Sequence, residues 1–536
     1  MSKNRGADAL VQSLRRAGVR RIFTLSGNHI MPLFDALFDS GIELIHTRHE
    51  AACVHMADAY ARLTGETGIA LVTGGPGHAN AVSALYTAQM SEAPVVLLSG
   101  HAPNNQLGQG SFQEMLQAEM AAPVTKASWV ASSAEALASD MARAMRIAQG
   151  GRPGPVHLSL PTDALESLVA QGSQADSTLD ATPALKSADA ERIAAWLGQG
   201  ARPLVLTGPA TLTRAGRAKL QALEDALGMP VVGMESPRGV NDPSLGAFAQ
   251  MLAKADRVLL IGKKVDFTLK LGKAFATDCI FMQVDAEDVE IKRAQGALGT
   301  RLAASIKSDA FSALAALTQA ARAVQSGWRN EIAEAIRYRP AAWDSAASSL
   351  PGRLHPVEVC RPLQSVLDRH PDAVLVSDGG EFGQWAQACL TAPQRVINGP
   401  AGAIGAALPF ALGARVAERQ APVIAFMGDG TFGFHSAEFD TAARYGLPFV
   451  LVVGNDARWN AEYQIQLKSY GKERLIGCEL LPSRYDTVAA AFGGHGELVT
   501  EAGQLLPAVE RALQSGKPAC VNVMMEGVPA PVVTRA

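Results

Sequence analysis

The chain has 536 residues, 48% of them hydrophobic and 18% charged, with a net charge of −3. That length exceeds a single hydrophobic core, and the composition is that of a globular protein of about three domains. The near-neutral balance offers no basic footprint for nucleic acid, and no apolar run reaches the roughly 18 residues of a membrane span, so neither partner is expected.

The N-terminus, MSKNRGADALVQSLRRAG, spreads charge where a signal peptide would have an apolar stretch, which predicts a cytoplasmic protein. From Gly6 to Pro161, apolar runs such as Ile69–Thr73 and Val95–Gly100 alternate with helical stretches. Unbroken apolar strands between helices predict parallel sheets covered on both faces. A Ser/Gln/Asp/Thr-rich stretch at 170–183 reads as a linker, and a second alternating block follows. The stretch RPAAWDSAASSLPGRLHP, 339–356, reads as a second linker, after which the alternation resumes. The expected fold is therefore three doubly wound α/β domains, 1–168, 186–325 and 352–536, the first and third similar in layout. The six cysteines lie far apart without a CxxC pair and are expected to be buried thiols.

The most informative stretch is VIAFMGDGTFGFHSAEFDTAARYGLPFVLVVGNDARWN, residues 423–460. One apolar strand ends at Gly428-Asp429-Gly430 with Thr431 beyond it, and the next ends at Asn455-Asp456. Both acidic tips fall at carboxyl ends of parallel strands, where open α/β sheets bind ligands. Glycines around Asp429 let backbone approach phosphate oxygens, and a divalent cation with oxygen ligands would balance the charge. Gly-Asp-Gly alone is also a common turn. Asp456 stands 27 positions after Asp429, with Asn455 as the alternative ligand beside it.

In the first domain, IELIHTRHEAACVHMADAYARLTG places Glu50 at a strand end just before a helix. A carboxylate there is also favoured by the helix dipole alone. Further segments are TGGPGHANAV at 73–82, which contains Pro76 and Asn80, DGGEFGQW at 378–385, and INGPAGAIGAALPFALGAR at 397–415. In kind and order these segments resemble the thiamine-diphosphate (ThDP) enzyme family of acetolactate synthase, benzaldehyde lyase and the 2-oxo acid decarboxylases.

The resemblance implies pyrimidine-binding, central and diphosphate-binding domains, with ThDP and Mg²⁺ as cofactors. It makes Glu50 the carboxylate that activates the aminopyrimidine, with Pro76 and Asn80 beside the cofactor. It makes Asp429, Asp456 and the backbone carbonyl of Arg458 the metal ligands, and sets Gly428, Gly430 and Thr431 on the diphosphate. Gly380 and Glu381 belong to a second diphosphate-contact turn. Gly402 offers its carbonyl to the 4′-amino group, and Ile404 is the apolar wedge that bends the cofactor. His29 and Gln113, near Ser26, Asn28 and Phe112, match places where benzaldehyde lyase keeps a His and a Gln, and would handle protons and the oxyanion. A structural His capping a loop is the alternative for His29, and His46, His78 and His435 read as structural.

The family's sites lie between subunits, so a homodimer or homotetramer acting on a small-molecule carbonyl substrate is implied. The expected activity is a carbon–carbon lyase or carboligase acting on 2-oxo acids or acyloins, acetolactate-synthase-like. The alternatives are a 2-hydroxyacyl-CoA lyase or oxalyl-CoA decarboxylase, or a benzaldehyde-lyase-like acyloin lyase. The chain departs from the family in Asp456, where Asn is usual, and in lacking the adjacent histidine pair of pyruvate decarboxylase. In the central domain Lys263 and Lys264 read as a solvated loop, and FAD or ADP there is possible but not expected.

Overall fold

The structure, a computed structural model, describes residues 4–169, 182–324 and 327–535. Its strands form three wholly parallel sheets, each wrapped by helices. The first contains β1 (Arg21–Thr24), β2 (Glu43–His46), β3 (Gly68–Val72), β4 (Val95–His101), β5 (Ala127–Val130) and β6 (Val156–Pro161), in the order β2-β1-β3-β4-β6-β5. The second contains β7 (Pro203–Thr207), β8 (Val231–Gly233), β9 (Arg257–Ile261), β10 (Ile280–Asp285) and β11 (Leu302–Lys307), in the order β11-β10-β9-β7-β8. The third contains β12 (Val374–Ser377), β13 (Gln394–Ile397), β14 (Val423–Gly428), β15 (Val450–Asn455), β16 (His495–Val499) and β17 (Ala519–Met524), in the order β13-β12-β14-β15-β17-β16. Renumbered from its own start, the third order equals the first, so the two outer domains share one topology.

The expected apolar runs are the central strands. Every residue of β3, β4 and β7 is buried, as continuous burial on both faces requires. The edge strands β5 and β16 carry mixed sequences and are mostly half-buried. The helix Trp328–Arg337, just past the boundary expected at 325, packs Trp328, Ile332 and Ala335 into the central core.

Residues 170–181 of the first expected linker lie outside the described residues. The second expected linker is packed. Trp343 is buried with its ring 5.0 Å from that of Trp385. Arg339 there donates to Ser244 O of the central domain and to Ala388 O of the third.

The first and third domains meet without a gap. Helix Glu50–Thr64 lies on helix Ala407–Ala417, and their apolar residues belong to one hydrophobic core. A Cβ at Gly413 would sit 2.4 Å from Met56 O, so only glycine permits this approach. Arg62 lies over the Phe410 ring and donates to Ile397 O at 2.8 Å, while His55 packs edge-on against Phe410. The central domain is tied to the first through Arg152, which pairs with Glu92 and Asp285 and donates to Gly262 O. Among the described residues no helix is long and apolar enough to cross a membrane.

Candidate active site

The strand tips of the third domain form a cleft of about 110 Å³. Its walls bring together Gly380, Glu381, Ile404, Gly428, Asp429, Gly430, Thr431, Asp456 and Arg458, nine of the residues singled out from the sequence. β14 ends at Gly428 and pairs with β15 in register Gly428↔Gly454, so Asp429 and Asp456 emerge side by side just beyond the sheet. Both carboxyls are buried and touch each other. Burial first, and then their mutual proximity, raises Asp429 to about 8; burial also raises Asp456 to about 6. Two dry carboxyls in contact cannot both ionise without a cation, and Asp429 Oδ2 has no hydrogen-bond partner. An all-oxygen donor set of this kind fits Mg²⁺.

Strand pleat separates the two candidate ligands. Asn455, the last residue of β15, turns its side chain into the sheet and donates to Ser483 O at 2.9 Å and Asn522 Oδ1 at 3.1 Å. Asp456 faces the cleft. Ala457 adopts φ +59°, a left-handed conformation that costs an alanine about 1 kcal/mol and turns the backbone before Arg458.

Gly430 lies under Trp459, where a Cβ would come within 2.9 Å of the ring, so any side chain would displace the indole. The Thr431 hydroxyl donates to Asp378 Oδ2 at 2.7 Å. Asp378 also accepts Gly405 N–H at 3.0 and 2.9 Å and is fully buried, which raises its carboxyl to about 6. It therefore braces both the GDG turn and the Ile404 loop. Nothing in the sequence marks this role, although Asp378 opens the DGGEFGQW segment. Glu381 lines the cleft with Oε2 unpartnered, its nearest cation being Arg238 at 3.6 Å. Gly402 (φ +67°) and Ile404 are exposed at the mouth.

The remaining predicted residues gather in the first domain. Glu50 opens helix Glu50–Thr64, capped by His49, whose Nδ1 accepts Ala51 N–H. Asn80 Nδ2 donates to Glu50 Oε2 at 3.0 Å. Pro76 and Asn80 belong to the first turns of helix Pro76–Met90, and a Cβ at Gly77 would stand 3.4 Å from Glu50 Oε1. His29 is buried with Nδ1 3.3 Å from Thr73 Oγ1 and its ring stacked on Phe112; burial lowers its pKa, so it is neutral at pH 7. Gln113 holds φ +57° against Gly75, whose Cβ would come 2.7 Å from that of Gln113. Gly75 N–H in turn is held by Gln117 Oε1 at 2.8 Å, a contact invisible in the sequence. His78 is fully buried between Ser99 and His157, and His46 bonds Ser26.

None of the first-domain group lines the third-domain cleft of the same chain. In the central domain Lys263 is buried, contrary to the solvated loop expected. Its Nζ meets Thr268 Oγ1 at 2.5 Å and Asp266 at 3.8 Å, because the chain turns inward at Gly262, φ +58°.

The family model for the thiamine pyrophosphate enzyme N-terminal TPP binding domain matches residues 4–122, and that for the C-terminal TPP binding domain matches 378–523. An acetolactate synthase large subunit of Mycobacterium tuberculosis is 33% identical over 96% of this chain and 95% of its own length. 2-Hydroxyacyl-CoA lyase 2 of Homo sapiens is 30% identical over 98% of this chain and 90% of its own. An acetolactate synthase large subunit of Parasynechococcus marenigrum is 30% identical over 97% and 87%. With both TPP-binding domains matched and relatives aligned along nearly the whole chain, the protein belongs to the thiamine pyrophosphate enzyme family and is related to acetolactate synthases and 2-hydroxyacyl-CoA lyases.

Proposed function

We propose that this chain is a ThDP- and Mg²⁺-dependent carbon–carbon lyase or carboligase acting on 2-oxo acids or acyloins, with acetolactate formation the reaction to test first. The observation that carries the reading is the division of one site into two halves, a Glu50–Asn80 pair on the first domain and an Asp429–Asp456 cleft on the third. Two chains arranged head to tail complete both, so the active form is a homodimer or homotetramer.

When bound, ThDP supplies a nucleophilic thiazolium carbon and an electron sink beside a carbonyl. Asp429, Asp456 and the Arg458 carbonyl hold Mg²⁺, and the backbone at Gly428, Gly430, Thr431, Gly380 and Glu381 receives the diphosphate. Gly402 and Ile404 receive the aminopyrimidine, and Ile404 presents an apolar edge at the cleft mouth. Glu50, oriented by Asn80, would hold a proton at its carboxyl and donate it to the ring nitrogen of a cofactor bound to the partner chain, the general-acid role the aminopyrimidine calls for. His29, neutral through burial, exchanges a proton with the substrate oxygen, and Gln113 donates a hydrogen bond to that oxygen.

A second reading, cleavage of 2-hydroxyacyl-CoA, draws support from the exposed apolar side chains of Leu107, Phe112 and Leu116, on the segment whose Phe112 stacks on His29. Incubating the ThDP/Mg²⁺-loaded protein with pyruvate, glyoxylate, benzaldehyde and a 2-hydroxyacyl-CoA in parallel, with products identified by mass spectrometry, separates the readings. Acetolactate from pyruvate supports the first, and aldehyde release from the thioester supports the second. Turnover that persists in Glu50→Gln refutes the assigned chemistry.

A further inference from the structure

We infer that Glu438, a buried carboxylate of the third domain, is the positioning residue for Glu50. The inference rests on the reading of Glu50 as the activating carboxylate. Glu438 is fully buried at the start of helix Glu438–Arg444, and its two oxygens accept Arg48 N–H at 3.0 and 3.2 Å. The His49 N–H bonds the same carboxyl, and Thr441 Oγ1 donates to Oε2 at 2.6 Å.

Neighbouring side chains finish the grip. Tyr445 OH accepts His46 N–H at 2.9 Å, and Arg444 Nη2 donates to His46 O at 2.7 Å. Residues 46 to 49, the peptide directly before Glu50, are thus held by three side chains from the other domain, Glu438, Arg444 and Tyr445. Within its own domain, Glu50 accepts a hydrogen bond from Asn80, and the peptide before it is tied through Thr47 N–H to Thr24 O. The same third-domain segment begins at Asp429, so one short stretch carries both the cation-binding carboxylate and the clamp on Glu50.

Loss of the Glu438 carboxylate takes from the Arg48 and His49 N–H groups the acceptor that ties them to the third domain and frees the turn to shift. A displacement of about 1 Å in a proton-handling group lowers its rate up to about 100-fold. A strut that merely joined the domains would lower stability and cofactor binding without this selective effect.

The test compares Glu438→Ala, Glu438→Gln, Glu50→Gln and Arg62→Met, the last removing a different contact between the same two domains. Three quantities are measured: deuterium uptake of the peptide 43–52 in the apoprotein, ThDP affinity with Mg²⁺ by tryptophan fluorescence, and hydrogen–deuterium exchange at C2 of bound ThDP by NMR after acid quench. Glu438→Ala is expected to raise uptake in 43–52 and to slow C2 exchange by about 10- to 100-fold at unchanged ThDP affinity. Glu438→Gln, which keeps one acceptor, slows it by at least about threefold and carries the test if the alanine variant does not fold. Arg62→Met lowers the melting temperature and leaves C2 exchange intact. Wild-type C2 exchange in the Glu438 variants, or slowing only in step with lost ThDP binding, overturns the positioning role alone. Wild-type exchange in Glu50→Gln overturns the reading of Glu50 and the inference with it.

Discussion

Replacing Asp456 by asparagine should make the cofactor-free protein more stable, and increasingly so as pH rises. Asp429 and Asp456 bind protons more tightly folded than unfolded, at about 8 and about 6 against an ordinary 3.8. Acids with raised folded values cost stability as pH climbs from the unfolded value toward the folded one, so the penalty grows between about pH 4 and pH 8. Moving the Asp456 ionisation from 3.8 to about 6 corresponds, at about 1.4 kcal/mol per decade, to about 3 kcal/mol at pH 8. Near pH 4 it amounts to less than about 1 kcal/mol. For a domain of this size roughly 2–4 °C accompanies each kcal/mol, so the third-domain transition of Asp456→Asn should rise by about 6–12 °C at pH 8 in EDTA. Differential scanning calorimetry at both pH values reads it directly. Excess Mg²⁺ should erase most of the gain, since a bound cation offsets the second charge. An equal rise at pH 4 and pH 8, or a fall at pH 8, would refute the account of Asp456 as a carboxyl whose ionisation is opposed by burial.

Gly413→Ala should lower the melting temperature markedly, because its Cβ meets Met56 O at 2.4 Å and overpacking of this kind costs about 1–3 kcal/mol. Asp378→Asn should weaken ThDP binding measured by titration, since one carboxylate oxygen becomes an NH2 group facing backbone N–H donors; unchanged affinity would show that the brace is dispensable. Arg152→Met strands two buried carboxylates, Glu92 and Asp285, and should destabilise the protein by about 3–5 kcal/mol in denaturant unfolding.

The central strands were legible because continuous apolar runs have few other uses, and β3, β4, β14 and β15 fall where such runs stand. Edge strands such as β5 (ASWV) and β16 (HGELV) were not, since half-burial leaves a mixed pattern without a clear period. Residues 339–356 looked like a linker by composition, yet Trp343 and Arg339 find partners on other domains that no local rule could name. The cleft was legible because its residues follow strand ends at fixed spacing. The choice between Asn455 and Asp456 needed the pleat, which sends one side chain toward Asn522 and the next outward. Glu438, Asp378 and Gln117 act through backbone amides distant in sequence, and an isolated acid or amide on a helix carries no mark of that. Lys263 was misplaced because two lysines after a strand usually seek water, while the positive φ of Gly262 turns this one inward.

The close fit of Gly413 against Met56 also bears on how the protein is made. Helix Glu50–Thr64 leaves the ribosome long before helix Ala407–Ala417, with the central domain translated between them. At about 5–20 residues per second that wait lasts tens of seconds. Through that interval the face carrying Met56 and Ala59, which Gly413 meets in the finished fold, has no third domain to cover it, although both residues are fully buried there. The nascent first domain therefore carries a sticky apolar face, a natural client for a chaperone, and translation arrested before residue 407 should yield aggregates where release of the full chain yields soluble protein.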